Sequence, residues 1–311
     1  MYHIPMRTLF QRLCAIVLVS PTMVAAQATE DPSAKPTITI RFSHTNGNVK
    51  TSPFNNDQGV PLFRATIAEE PVCALLDTGA DLSVVGLHVA RKTGLVISVP
   101  KGELAGLQTS VKSHLVTAVP IEIPGQLAFT RDMVGAELPE YTCPDGTKLG
   151  FVLGMDFLGK MAIYLDNVRQ RMILAPGGFL SPKEGAFARI AWSNGQVDGT
   201  IAGVDVRFKV DTGSSSALSV RAAQFAGFFP SEPLVALPES TTLGGRFENQ
   251  GVQDVEFSIG PLKVKANAKR VSNLTGSAPA SIGYQIIGQT SVILDATEGA
   301  IFLRKPGQAS E

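Results

Sequence analysis

The chain has 311 residues, of which 44% are hydrophobic and 17% charged, a balance that suits a globular protein and excludes a disordered one. Its 27 Lys and Arg match its 27 Asp and Glu, so net charge is zero; with no basic run and no interleaving of basic and aromatic residues, a nucleic-acid partner is not expected. Arg7 and Arg12 precede an apolar segment from Leu13 to Val19, and Val24-Ala25-Ala26-Gln27-Ala28 offers small residues at cleavage positions, as in a secretory signal. The segment is well short of the roughly 20 residues a membrane span needs. Residues 1–28 therefore read as a removed signal peptide, and the protein as exported, periplasmic or secreted, with no membrane span afterwards.

Cys14 leaves with the signal, and Cys73 and Cys143 remain. In an exported protein this pair can form a disulfide; two buried thiols behaving as small hydrophobes fit as well. Residues 29–60 are polar apart from a strand at Ile38 to Phe42, and read as an extended arm or a pro-segment. Leu62 to Ala68 and the run from Val72 form a hairpin about Glu69-Glu70-Pro71. The run ends at Asp77-Thr78-Gly79, where glycine admits a sharp turn. A short helix from Leu87 to Lys92 ends at Gly94, and the glycines of Val99 to Leu107, Gly102 and Gly106 among them, suit a hairpin tip. Strands follow around Val116 to Ile123 and Ala128 to Val134. Phe151-Val152-Leu153-Gly154 then leads into a short helix at Met155 to Leu158 and strands at Met161 to Leu165 and Arg171 to Leu174.

Gly and Pro between Ala175 and Pro182 mark a boundary, after which the plan repeats. Asp211-Thr212-Gly213 follows Asp77 by 134 residues (211 − 77), and the same offset carries Thr66-Ile67-Ala68 onto Thr200-Ile201-Ala202. It also carries Gly154 onto Gly288 (288 − 134 = 154), which equates the phrase ending at Gly154 with Ile286-Ile287-Gly288. On that alignment the second copy lacks about five residues after its glycine phrase (166 − 154 = 12 against 295 − 288 = 7) and with them the short helix. Thr241 to Arg246, with Gly244 and Gly245, takes the place of the first glycine tip. Short alternating runs between Gly and Pro make the chain mostly β. The expected layout is a first lobe over 61–176, a linker over 177–188, a second lobe over 189–305 and a tail over 306–311.

An apolar strand ending in Asp-Thr-Gly-Ala/Ser, with a hydrophobic-hydrophobic-Gly phrase behind it, resembles the aspartic proteases. Leu76 to Asp81 together with Val152 to Leu158 is similar to the retropepsin-like branch, and the duplication in one chain to the pepsin-like arrangement. The resemblance implies an all-β fold of two pseudo-twofold-related acid-protease β-barrel lobes with a catalytic cleft between them. It implies catalytic Asp77 and Asp211 sharing one proton, supported by Thr78, Gly79, Thr212, Gly213 and Ser214. Peptide or protein substrate would lie extended under flaps at Gly102, Gly106, Gly244 and Gly245. No cofactor and no metal are implied, and a monomer suffices. Two carboxylates a few Å apart cannot both ionise readily, and the handling of that shared charge by aspartic proteases is the standard example. Ser214 offers Asp211 a hydroxyl that Ala80 does not offer Asp77, so Asp211 is expected to be the ionised member. His3, His44, His88 and His114 stand singly, without zinc or triad spacing, and read as surface or structural residues. The competing reading is a non-catalytic peptide-binding module with the same fold.

Overall fold

The computed structural model describes residues 39–44, 49–106, 110–182, 185–242, 245–274 and 276–305. Residues 1–28, with His3 and Cys14, residues 306–311, and Leu107, Leu243 and Gly244 lie outside them. The strand that delivers Asp77 shows how the sequence builds the first barrel. After β1 (Arg41–Phe42), β2 (Ser52–Asn55) and β3 (Leu62–Ile67) comes β4 (Glu70–Leu76), buried without a break from Val72 to Leu76. Such a run marks a strand covered on both faces. Alternation sends Val72, Ala74 and Leu76 into the main core and Cys73 and Leu75 into a smaller cluster with Val84, Tyr141, Cys143 and Val152. The β3–β4 turn is Ala68-Glu69, both at positive φ (47° and 67°), with Glu70 and Pro71 already in the strand; the turn therefore sits one residue earlier than expected.

The first half continues with β5 (Val84–Gly86), α1 (Leu87–Lys92), β6 (Gly102–Ala105), β7 (Ser110–Ile123), β8 (Leu127–Ala136), β9 (Leu149–Leu153), α2 (Met155–Leu158), β10 (Met161–Asp166) and β11 (Arg171–Pro176). Strands β3-β4-β9-β5-β8-β7 close into a barrel through the β3–β7 pairing. The second half supplies β12 (Phe187–Ala191), β13 (Gln196–Ile201), β14 (Val204–Asp211), β15 (Leu218–Arg221), α3 (Ala222–Phe228), β16 (Val235–Thr242), β17 (Gly245–Ile259), β18 (Leu262–Val271), β19 (Ala280–Gly283), α4 (Tyr284–Ile287), β20 (Val292–Asp295) and β21 (Ala300–Arg304). There β13-β14-β19-β15-β18-β17 closes in the same order through β13–β17.

A shared sheet β12-β21-β20-β10-β11-β2 joins the halves, with Ile163 opposite Leu294 and Leu165 opposite Val292. All four side chains are buried, so the junction is a hydrophobic seam. Ser52–Asn55 lies between β11 and β3 in this network, which makes part of the stretch read as an arm a sheet strand. The all-β two-lobe expectation holds.

Strand register corrects the alignment of the second copy. Leu76 pairs with Leu153 in the parallel β4–β9 ladder, whereas Val210 and Asp211 pair with Ile282 and Gly283 in β14–β19. Gly154 and Gly283 both cap a four-residue helix at nearly the same angles (φ −103°, ψ −177° and φ −100°, ψ −175°). Gly283, not Gly288, is therefore the counterpart of Gly154, and Gly288 corresponds to Gly159 at the helix C-terminus. The short helix is retained as α4, and 295 − 283 = 12 equals 166 − 154 = 12. The five missing residues fall earlier, between Asp211 and Gly283 (283 − 211 = 72 against 154 − 77 = 77). Among the described residues no helix is long and apolar enough to cross a membrane.

Candidate active site

Each Asp-Thr-Gly turn is held by the other. Thr78 donates its backbone N–H to Thr212 Oγ1 at 3.0 Å, and Thr212 donates its own to Thr78 Oγ1 at 3.1 Å. Each hydroxyl then donates across the axis, Thr78 Oγ1 to the Val210 carbonyl and Thr212 Oγ1 to the Leu76 carbonyl, both at 2.8 Å. Both threonines are fully buried, where an unmade hydrogen bond is costly. Four reciprocal bonds therefore fix the two loops against each other.

That lock brings the carboxyls together. A β-carbon on Gly79 would fall onto the Asp211 carboxyl, and one on Gly213 onto the Asp77 carboxyl, so only glycine leaves room at either position. Asp77 and Asp211 are hydrogen-bonded to one another through their side chains. Behind them the helix N-termini dock alike: Met155 N–H donates to the Ala80 carbonyl at 2.9 Å and Tyr284 N–H to the Ser214 carbonyl at 2.7 Å.

The pair is not symmetric. Asp77 Oδ1 accepts the backbone N–H groups of Gly79 (2.8 Å) and Ala80 (3.0 Å). Burial raises the Asp77 carboxyl above its ordinary range, and those two donors oppose the rise. Burial, then the charge of Asp77, pushes Asp211 up to about 8. Hydrogen bonds to a charged form favour it, so Asp77 is the ionised member and Asp211 holds the proton. This reverses the expectation from Ser214, whose Oγ instead accepts the backbone N–H of Ser216 at 3.3 Å. From Asp77 to the α1 cap at Gly86 is 9 residues and from Asp211 to the α3 cap at Arg221 is 10. The serine-rich turn is longer by one and closes on itself.

The carboxyls stand on the floor of a cavity of about 160 Å³ between the lobes. Ala105 and Gly106, at the end of the β6–β7 hairpin, line it, as do Ser240 to Thr242 at the end of β16. Gly102 lies further back, opposite Ser113, and Gly245 pairs with Thr242 at φ 129°. Cys73 and Cys143 form a disulfide, Cα to Cα 5.5 Å, tying the loop after β8 to the strand that ends at Asp77. Two residues before Cys143, Tyr141 crosses the cleft and donates its hydroxyl to the Thr241 carbonyl at 3.2 Å. Burial, followed by the charges of Asp77 and Asp211, pushes its phenol up to about 12, so it stays a neutral donor.

Among the lining residues that had no place in the sequence reading are Tyr141, Lys209 and Lys269. Lys209 was legible in principle, because it precedes Asp211 by two and so shares its strand face. Tyr141 and Lys269 reach the site only through a loop path and a parallel pairing. His44 bonds to the Leu174 carbonyl and His114 to the Ser98 carbonyl, burial lowers the imidazole of His88, and none of the three lines the cleft.

Residues 63–157, running from β3 into α2, match the family described as aspartyl protease. No curated protein matches the chain. The first lobe is thus aspartic-protease-like in sequence, and the second repeats its barrel order, its turn and its capped helix.

Proposed function

We propose that the protein is an aspartic-type endopeptidase that hydrolyses peptide bonds with a water activated between Asp77 and Asp211. The ionised Asp77 takes a proton from the water, whose oxygen attacks the peptide carbonyl. Asp211 donates its hydrogen bond to the oxygen on which negative charge develops, and a proton passed to the leaving nitrogen lets the C–N bond break. The Thr78–Thr212 bonds keep both carboxyls in place, so little reorganisation is needed during the reaction. Substrate lies extended below the β6–β7 and β16–β17 hairpins and pairs by its main chain, as added strands do.

The observation that carries this reading is the hydrogen-bonded carboxyl pair on a cleft floor between two like barrels. In the same proposal residues 61–176 and 189–305 are the lobes, 177–188 the linker, 29–60 the arm and 306–311 the tail. Residues 1–28 are removed on export to the periplasm or medium, and one chain, holding both aspartates, works as a monomer. Incubation with an unfolded test protein should yield fragments, and a statine-type inhibitor should prevent them. Fragments that persist with the inhibitor, or no fragments from folded protein at any pH between about 4 and about 8, would count against it.

A further inference from the structure

The two walls of the cleft differ in chemistry at equivalent positions. In the first barrel Leu75 pairs with Val152, Val152 with Val84, and Val84 with Val134 across β4, β9, β5 and β8. The same path in the second barrel runs Lys209 to Ser281, Ser281 to Ser219, and Ser219 to Lys269 across β14, β19, β15 and β18. Residues opposite one another on paired strands project to one face. The row is thus four apolar side chains in the first barrel and four polar ones in the second. Leu75, Val84 and Val152 line the cavity from the first side, and Lys209, Ser281 and Lys269 from the second.

Lys269 is only 4% exposed. Its ammonium reaches the neutral Ser240 Oγ at 3.4 Å and, among the described residues, forms no ion pair. Ser219, 1% exposed, has a hydroxyl with no hydrogen-bond partner among the described residues. Lys209 differs, bonding to Asp81 at 2.9 Å, whose side chain is 67% exposed. Asp81 thus answers Lys209, while burial works against the charged form of Lys269 and the charge of Asp211 supports it. A buried ammonium without an ion pair of its own is costly, and an anion from outside relieves that cost.

We propose that the second-lobe row is a subsite for a substrate carboxylate, bound by Lys269 with the Ser281 hydroxyl beside it. The group is an Asp or Glu side chain near the bond to be cut, or the C-terminal carboxylate of the peptide. The assignment rests on the proteolytic reading above and narrows its substrate class.

Peptides carrying Glu or Gln at each position around the cut, each made as C-terminal acid and amide, test it through kcat/KM. The wild type should favour Glu over Gln at one position, or acid over amide, by about tenfold, as a charged hydrogen bond allows; which ratio moves identifies the source of the carboxylate. Lys269→Met and Lys269→Gln should abolish the preference, Lys269→Arg should keep it, and Lys269→Glu should turn it toward Lys. No preference in the wild type, or the same preference in the two neutral variants while circular dichroism shows them folded, overturns the subsite. If Lys269 only tunes Asp211, the neutral variants move the pH profile of every peptide alike and leave the ratio unchanged, which also overturns it. Should no peptide be cut, the proteolytic reading fails by itself. Calorimetric binding of the Glu and Gln peptides to Asp77→Asn protein then decides the subsite by the same ratio.

Discussion

Gly79 lies so close to the carboxyl of Asp211 that a single added methyl would occupy the carboxyl's own space. The first lobe therefore reserves room for the reactive group of the second, and Gly213 reserves it for Asp77 in return. Gly79→Ala must push the aspartates apart. A displacement near 1 Å lowers rates about 100-fold where geometry governs the step. We expect at least that loss in kcat for Gly79→Ala and Gly213→Ala, with circular dichroism unchanged. A loss under about threefold would show that the carboxyl spacing is not limiting.

Thr212→Val keeps the β-branched shape and deletes the hydroxyl. The Thr78 N–H and the Leu76 carbonyl then lose their partners in a fully buried site. Each orphaned group costs about 1–3 kcal/mol, so urea unfolding should show a loss of about 2–6 kcal/mol. Thr212→Ser should recover most of it, and equal stability of the Val and Ser variants would contradict the role of the hydroxyl.

The dyad predicts an uncommon pH dependence of stability. Asp211 is raised from 3.8 to about 8 by burial and by Asp77, so the folded protein keeps a proton that the unfolded chain releases. The associated stability is present in full below about pH 4 and is lost as pH rises toward about 8. Urea midpoints should fall across that window, and Asp211→Asn should flatten the slope. Under the proposed function the same ionisation should set the alkaline limb of activity near pH 8. Stability that rises through the window would overturn the assignment of the proton to Asp211.

The disulfide between Cys73 and Cys143 spans 70 residues, and a loop of that length corresponds to about 4 kcal/mol in the chain-entropy account. Reduction or Cys143→Ala should lower stability on that scale and loosen Tyr141, raising hydrogen exchange in β16. Equal unfolding curves with and without reductant would contradict the link.

The duplication and the dyad were legible because Asp-Thr-Gly recurs after two apolar strands at a constant offset. The length change was misplaced because Ser281-Ile282-Gly283 and Ile286-Ile287-Gly288 both satisfy a hydrophobic-Gly phrase, and only the register of β14 against β19 separates them. Ser214 misled for a related reason: residue type announced a donor, whereas its direction depends on a turn one residue longer than its counterpart. Lys269 acquires its meaning from the parallel β15–β18 pairing, which has no local signature. Tyr141 acquires its meaning from a disulfide whose closure the spacing left open. The second-lobe helix α3 was missed because its short run Ala222–Phe228 carries no cap signal.

The central claim is that Asp77 and Asp211 act as one catalytic unit within one chain. Single-turnover rates on a cleaved peptide, for Asp77→Asn, Asp211→Asn and the double variant, test it most directly. Groups that act as a unit are strongly non-additive: each single change should lower the rate by at least about 1,000-fold, and the double change should lower it no further. A single variant that keeps a tenth or more of the wild-type rate while folded would contradict the account.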